Sequence, residues 1–141
     1  MTLSPSESNA DIKAALVIEA SRIGFDDVRI MAATLSESTS TRFDDFIAGG
    51  YHGDMSWMAD TAARRRHPNA LWPEAKSVIT LALNYGPAHD PLQLLQQRDR
   101  GNVSVYARGN DYHDVLKKRL KTLARWLVEA TASEVKVFVD T

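Results

Sequence analysis

The sequence predicts an α/β domain, with α+β as its close variant, built as a sheet flanked by helices. Three observations carry this. Residues 77–85, SVITLALNY, form a nearly continuous apolar run of strand length. Val135, Val137 and Val139 alternate with Lys136 and Phe138, the period of a strand. Two longer segments, around Ile12–Ile23 and after Asp111, repeat apolar residues at helical spacing. A chain of 141 residues with 44% apolar and 25% charged content is long and apolar enough for one globular core.

Taken in order, residues 1–8 read as a flexible tail and 9–141 as one domain. Ile12, Ala15, Leu16, Ala20 and Ile23 share a helical face, and Gly24 is a stop. Phe25–Ile30 reads as a short strand. The Ser/Thr-rich segment Thr34–Thr41 reads as a connection to a short helix over Arg42–Ala48, ended by Gly49 and Gly50. In Tyr51–Pro73, Gly53 marks a turn and Ser56 caps a short helix. Trp57, Met58 and Trp72 there suit a core better than a cofactor box. Arg64, Arg65, Arg66 and His67 are the most concentrated positive charge, and Pro68 ends their helix. A guanidinium matches phosphate or carboxylate with a planar fork of donors. The same cluster also suits a solvated helix end. The run at 77–85 suggests a strand buried on both faces, turning sharply at Asn84–Pro87. Open α/β sheets bind ligands at such strand ends. His89–Gly101 is a polar surface excursion.

Gly101–His113, GNVSVYARGNDYH, changes character several times. Val103, Val105 and Ala107 alternate with Ser104, Tyr106 and Arg108, as in a strand. Gly109 and Asn110 break the pattern, and Asp111 is a helix N-cap candidate. A carboxylate, a phenol and an imidazole (Asp111, Tyr112, His113) then meet at a helix N-terminus, which suits an anionic or electron-rich ligand. A capped helix with two solvated rings fits equally well. In the helix itself Val115, Leu116, Leu120, Leu123, Leu127 and Ala130 face inward. Lys117, Lys118, Arg119, Lys121 and Arg125 form the solvated face. The last strand ends at Asp140, a position that serves catalysis or a turn.

The exclusions are as informative. A net charge of −1 gives no global field to recruit nucleic acid, so such binding needs a local patch. No apolar run reaches membrane-spanning length, and no signal-peptide core precedes the domain, so the cytoplasm is expected. With no cysteine, these residues hold no disulfide, thiolate nucleophile or cysteine-ligated cluster. No metal-ligand set is expected within them.

The segments together resemble the N-terminal part of the epoxyqueuosine reductases, cobalamin- and iron–sulfur-dependent proteins of tRNA queuosine biosynthesis. The resemblance rests on YHGDMSWM at 51–58, Arg65 three residues before Pro68, and AKSVI at 75–79 followed by Asn84 and Tyr85. VSVYARGNDYH at 103–113 and VKVFVDT at 135–141 are the most specific pieces. They fall in the family's order across nearly the whole chain. The resemblance implies a reductase-like, cobalamin-binding α/β domain that acts on tRNA carrying epoxyqueuosine. It implies that Asp140 donates a proton, and that Arg65, Ser104, Tyr106, Gly109, Asp111, Tyr112 and His113 line the corrinoid site. Family members continue into a ferredoxin-like region whose cysteines hold two [4Fe–4S] clusters, then a helical-repeat region. Neither lies in these residues, so the chain alone is expected to be inactive. Val105 departs from the arginine that many relatives carry there, which removes one possible contact. Three other readings compete: a stand-alone corrinoid carrier, a flavin-dependent reductase with Arg65 on the flavin phosphate, and a small RNA-binding module using Arg64–Arg66 and the lysine-rich helix.

Overall fold

A computed structural model describes residues 5–139. Its helices are α1 (Pro5–Ile23), α2 (Glu37–Ala48), α3 (Ser56–Asp60), α4 (Ala62–Arg65), α5 (Pro68–Leu71) and α6 (Tyr112–Thr131). Its strands are β1 (Asp27–Ala32) and β2 (Ser77–Ala82), and 3-10 turns lie at Pro91–Gln96 and Val105–Ala107. β1 and β2 pair as a two-stranded sheet. The Asp26 N–H donates to the Ala82 carbonyl at 2.9 Å and the Ala33 N–H to the Lys76 carbonyl at 3.1 Å, so the strands are antiparallel. The fold is thus the α+β form of the predicted class. Two compact units divide the chain: 1–28 together with 81–141, and 29–80. No helix among the described residues is long and apolar enough to cross a membrane.

The first unit is built on α1 against α6. Leu16, Ala20 and Leu123, from the apolar stripes that the helical repeats predict, are buried there with Phe25. α1 begins at Pro5, earlier than predicted, and stops at Gly24. With φ at +100°, Gly24 turns the chain in a region that a Cβ disfavours. Its N–H donates to the Ala20 and Ser21 carbonyls at 3.1 and 2.9 Å. Arg119 of α6 donates from Nη1 to the Gly24 carbonyl at 2.6 Å. This half-buried guanidinium was predicted on the solvated face. A helix end leaves carbonyls without partners, and a long cationic side chain can reach one. Ala130, predicted inward, is exposed in the last turn of α6. The helix ends at Ala132, a left-handed residue with φ +53° whose N–H donates to the Val128 carbonyl at 2.8 Å.

Two predicted strands are absent. Residues 103–108 contain a 3-10 turn instead of a strand. Arg108 folds the segment onto itself, donating from Nε to the Val103 carbonyl and from Nη2 to Asn102 Oδ1, each at 2.9 Å. Residues 135–139 form no strand, and Val137 and Phe138 are exposed. Alternation becomes a strand only where a neighbouring strand supplies a ladder. β2 is half-buried rather than covered on both faces, since it has one partner strand and no residue in it is fully buried.

In the second unit, the Ser/Thr-rich stretch is not a connection. Ser36 caps α2, its Oγ accepting from the Thr39 N–H at 3.3 Å, and the helix runs to Gly49 as its C-cap. Ser56 lies inside α3 rather than capping it, and Met55 holds the cap position without a side-chain bond. Pro68 does more than end a helix. It opens α5 at the first helical position, where its missing N–H costs nothing. His67 caps that turn, Nδ1 accepting from the Asn69 N–H at 3.1 Å, and Nε2 faces the Leu35 N–H at 2.9 Å. A neutral imidazole accepts at one nitrogen only, so a single tautomer satisfies one of these two N–H groups. Arg66 pairs with Asp44 at 2.8 Å, and Ala33 and Ser40 are buried.

Candidate ligand-binding cleft

In the first unit, a cleft of about 160 Å³ opens just past the end of β2. The apolar run of β2 delivers Leu83 and Tyr85. The 3-10 turn delivers Val105 and Tyr106, and the start of α6 delivers Tyr112 and Val115. Leu83, Val105 and Val115 supply apolar surface, and the three tyrosines supply phenol hydroxyls. Arg108 and Asn110 complete the lining. Tyr85 stacks on Tyr112 with ring centroids 6.1 Å apart, and Tyr112 on His113 at 4.1 Å. Asn84 sets the turn that places Tyr85. Its N–H donates to Asp26 Oδ2 at 2.7 Å and its Oδ1 accepts from the Gly86 N–H at 2.8 Å.

Asp111 is the N-cap of α6, as predicted. Its Oδ1 accepts from the His113 N–H at 2.9 Å and meets His113 Nδ1 at 2.8 Å. The backbone N–H holds the Asp111 carboxyl below the usual carboxylate range, and the imidazole adds to this. A second, wider depression of about 300 Å³ lies beside it, lined by Asp111, Asp114 and Lys118 among others. Two carboxylates at this helix N-terminus already answer its positive end.

The predicted site residues divide four ways. Tyr106 and Tyr112 line the cleft, with Asp111 and His113 beside them. Ser104 caps the 3-10 turn without a side-chain bond, and Gly109, at φ +80°, bends the chain into α6. These two shape the backbone and line neither depression. Arg65 belongs to the second unit, with its guanidinium 4.5 Å from the Trp57 ring centroid and its Nε donating to Thr61 Oγ1 at 2.7 Å. Asp140 lies outside the described residues. Leu83, Tyr85 and Val115 escaped sequence reasoning as site residues. The sharp Asn84–Pro87 turn after an apolar run was the available signal for Tyr85.

The fold is an α+β scaffold with an aromatic, phenol-edged cleft at a strand end. Residues 65–141 match the family described as Epoxyqueuosine reductase QueG, DUF1730, and the chain belongs to that family. Among curated proteins it is 36% identical over 122 residues to the epoxyqueuosine reductase of Cyclobacterium marinum, covering 86% of this chain and 38% of the relative. To that of Escherichia coli K12 it is 37% identical, covering 84% of this chain and 31% of the relative. To that of Gloeobacter violaceus it is 38% identical, covering 94% and 40%. The chain thus spans about two fifths or less of these relatives' length. No solved structure matches it.

Proposed function

We propose that this chain is the cobalamin-binding N-terminal part of an epoxyqueuosine reductase, serving the reduction of epoxyqueuosine to queuosine in tRNA. Family membership combined with the tyrosine-walled cleft carries the reading. The residues fit a corrinoid. Leu83, Val105 and Val115 suit the apolar face of a macrocycle, and Tyr85, Tyr106 and Tyr112 can donate to its carboxamides. A cleft of about 160 Å³ receives one edge of so large a ligand rather than enclosing it. Bound there, a corrinoid supplies electrons for reductive removal of an epoxide oxygen.

The chain's own residues have the remaining tasks. Asp111 and Gly109 fix where α6 starts, and so where Tyr112 stands. The stack of Tyr85 on Tyr112 presents an aromatic wall to the ligand. The departing oxygen needs a proton, and Asp140, in the VDT segment, is the proposed donor. A carboxyl kept neutral by burial can perform that transfer. The tRNA phosphates would be met by local basic residues. The cytoplasm is the compartment this reading assigns.

Absorbance titration tests the proposal. Cob(II)alamin should give a saturable spectral change that Tyr112→Ala weakens, while flavin mononucleotide gives none. Saturable flavin binding with no cobalamin response would overturn it.

A further inference from the structure

The second unit carries a cation packed on an indole and, among the described residues, left without an anion. Arg65 lies over the Trp57 ring, guanidinium carbon 4.5 Å from its centroid. Its Nε donates to Thr61 Oγ1 at 2.7 Å, and the Thr61 hydroxyl in turn donates to the Trp57 carbonyl. Stack and hydrogen bond together fix the plane of the fork and consume one of its five donors. Among the described residues, Nη1 and Nη2 have no acceptor, although the side chain is half-buried. Neighbouring Arg66 is neutralised by Asp44 at 2.8 Å. Asp60 and Glu74, the acids nearest to Arg65 in sequence, form no ion pair with it. A partly buried fork with four remaining N–H groups is matched by the paired oxygens of a phosphate.

The second half of the site is the indole. Trp57 is 46% exposed, so part of its surface stays open beside the fork. A phosphate acceptor next to an exposed aromatic surface is the pattern that meets a nucleotide, its phosphodiester on the cation and its base on the ring. The site is open, which suits a strand passing over it. We infer that Trp57, Thr61 and Arg65 form a contact site for one nucleotide of single-stranded RNA, with Arg64, exposed beside it, adding charge. The choice of RNA rests on the proposed reading of the chain. The fork's match to a phosphate does not.

The test is anisotropy of a labelled oligouridine titrated with the full 141-residue chain over a range of salt. Arg65→Ala should weaken binding about 10-fold or more, as for a lost charge-assisted hydrogen bond. It should also lower the slope of log affinity against log salt by about 0.7, the single-strand value for one phosphate. Arg65→Lys should keep the slope and still lose affinity, because an ammonium replaces the stacked fork. Trp57→Ala should weaken binding roughly 5- to 100-fold with the slope unchanged, and Trp57→Phe should restore part of it. Arg66→Ala should change little. Far-UV circular dichroism on each variant shows that the helices persist. Equal binding by parent and Arg65 variants, or no binding by the parent, overturns the inference. So does loss of cobalamin binding by Arg65→Ala with oligouridine binding intact, which assigns the fork to a cofactor phosphate. The cobalamin titration on the same samples reports the proposed function separately.

Discussion

Asp111 shows how one side chain can set both a helix start and a site. Its carboxylate accepts from the His113 backbone N–H first and the imidazole second, and both favour the ionised form. A folded-state pKa held below its unfolded value stabilises the fold above the unfolded pKa, and that stabilisation is lost as pH falls through the folded pKa. For Asp111 the loss therefore falls at the acid side of the usual carboxylate range. Asp111→Asn keeps a capping oxygen and removes the charge. The parent should be the more stable at neutral pH, and the two thermal midpoints should converge in acid. A constant gap down through that range would show that Asp111 caps without a depressed pKa. At the same scale, Tyr85 shows what a sequence hides. It stands 27 residues from Tyr112 in the chain and 6.1 Å from it in space. No local pattern announces that meeting, because the pairing depends on the Asp26 carboxylate catching the Asn84 N–H.

At the scale of elements, the readings that held rest on signals complete within one segment. α6 was legible because its cap, its apolar stripe and its length agree. α1 was legible through its stripe and Gly24. The readings that failed needed a partner the sequence cannot name. Residues 103–108 and 135–139 alternate like strands but find no ladder among the described residues. Ser36 looked like linker because Ser and Thr serve turns and caps alike. Arg119 looked solvated until the end of α1 offered a carbonyl. The end of α6 carries its own prediction. Ala132 holds φ +53°, a conformation that costs an L residue roughly 1–2 kcal/mol. Ala132→Gly should relieve part of that, raising stability by about 1 kcal/mol in urea unfolding with an unchanged m-value. An unchanged or lower midpoint would mean that the methyl group packs well enough to offset the strain.

At the scale of the whole molecule, the proposed chemistry turns on Asp140. In a chain of family length, Asp140→Asn should bind cobalamin like the parent. It should lose about 100- to 10,000-fold in single-turnover conversion of epoxyqueuosine in tRNA, the usual cost of removing a general acid. Parent-like turnover would leave Asp140 a turn residue and move the proton to Tyr112 or His113. The division of the chain bears on a different property, the order of assembly. Residues 29–80 form a unit inserted within the sequence of the other, which must gather 1–28 and 81–141 across it. Closing so long a flexible loop is entropically costly and slow. The Ala33–Lys76 hydrogen bond ties the inserted unit near both its ends, so once that unit forms, the loop remaining to be closed is short. Prior folding of the inserted unit is therefore expected to speed folding of the unit that carries the cleft, an order that stopped-flow refolding of variants in each unit would check.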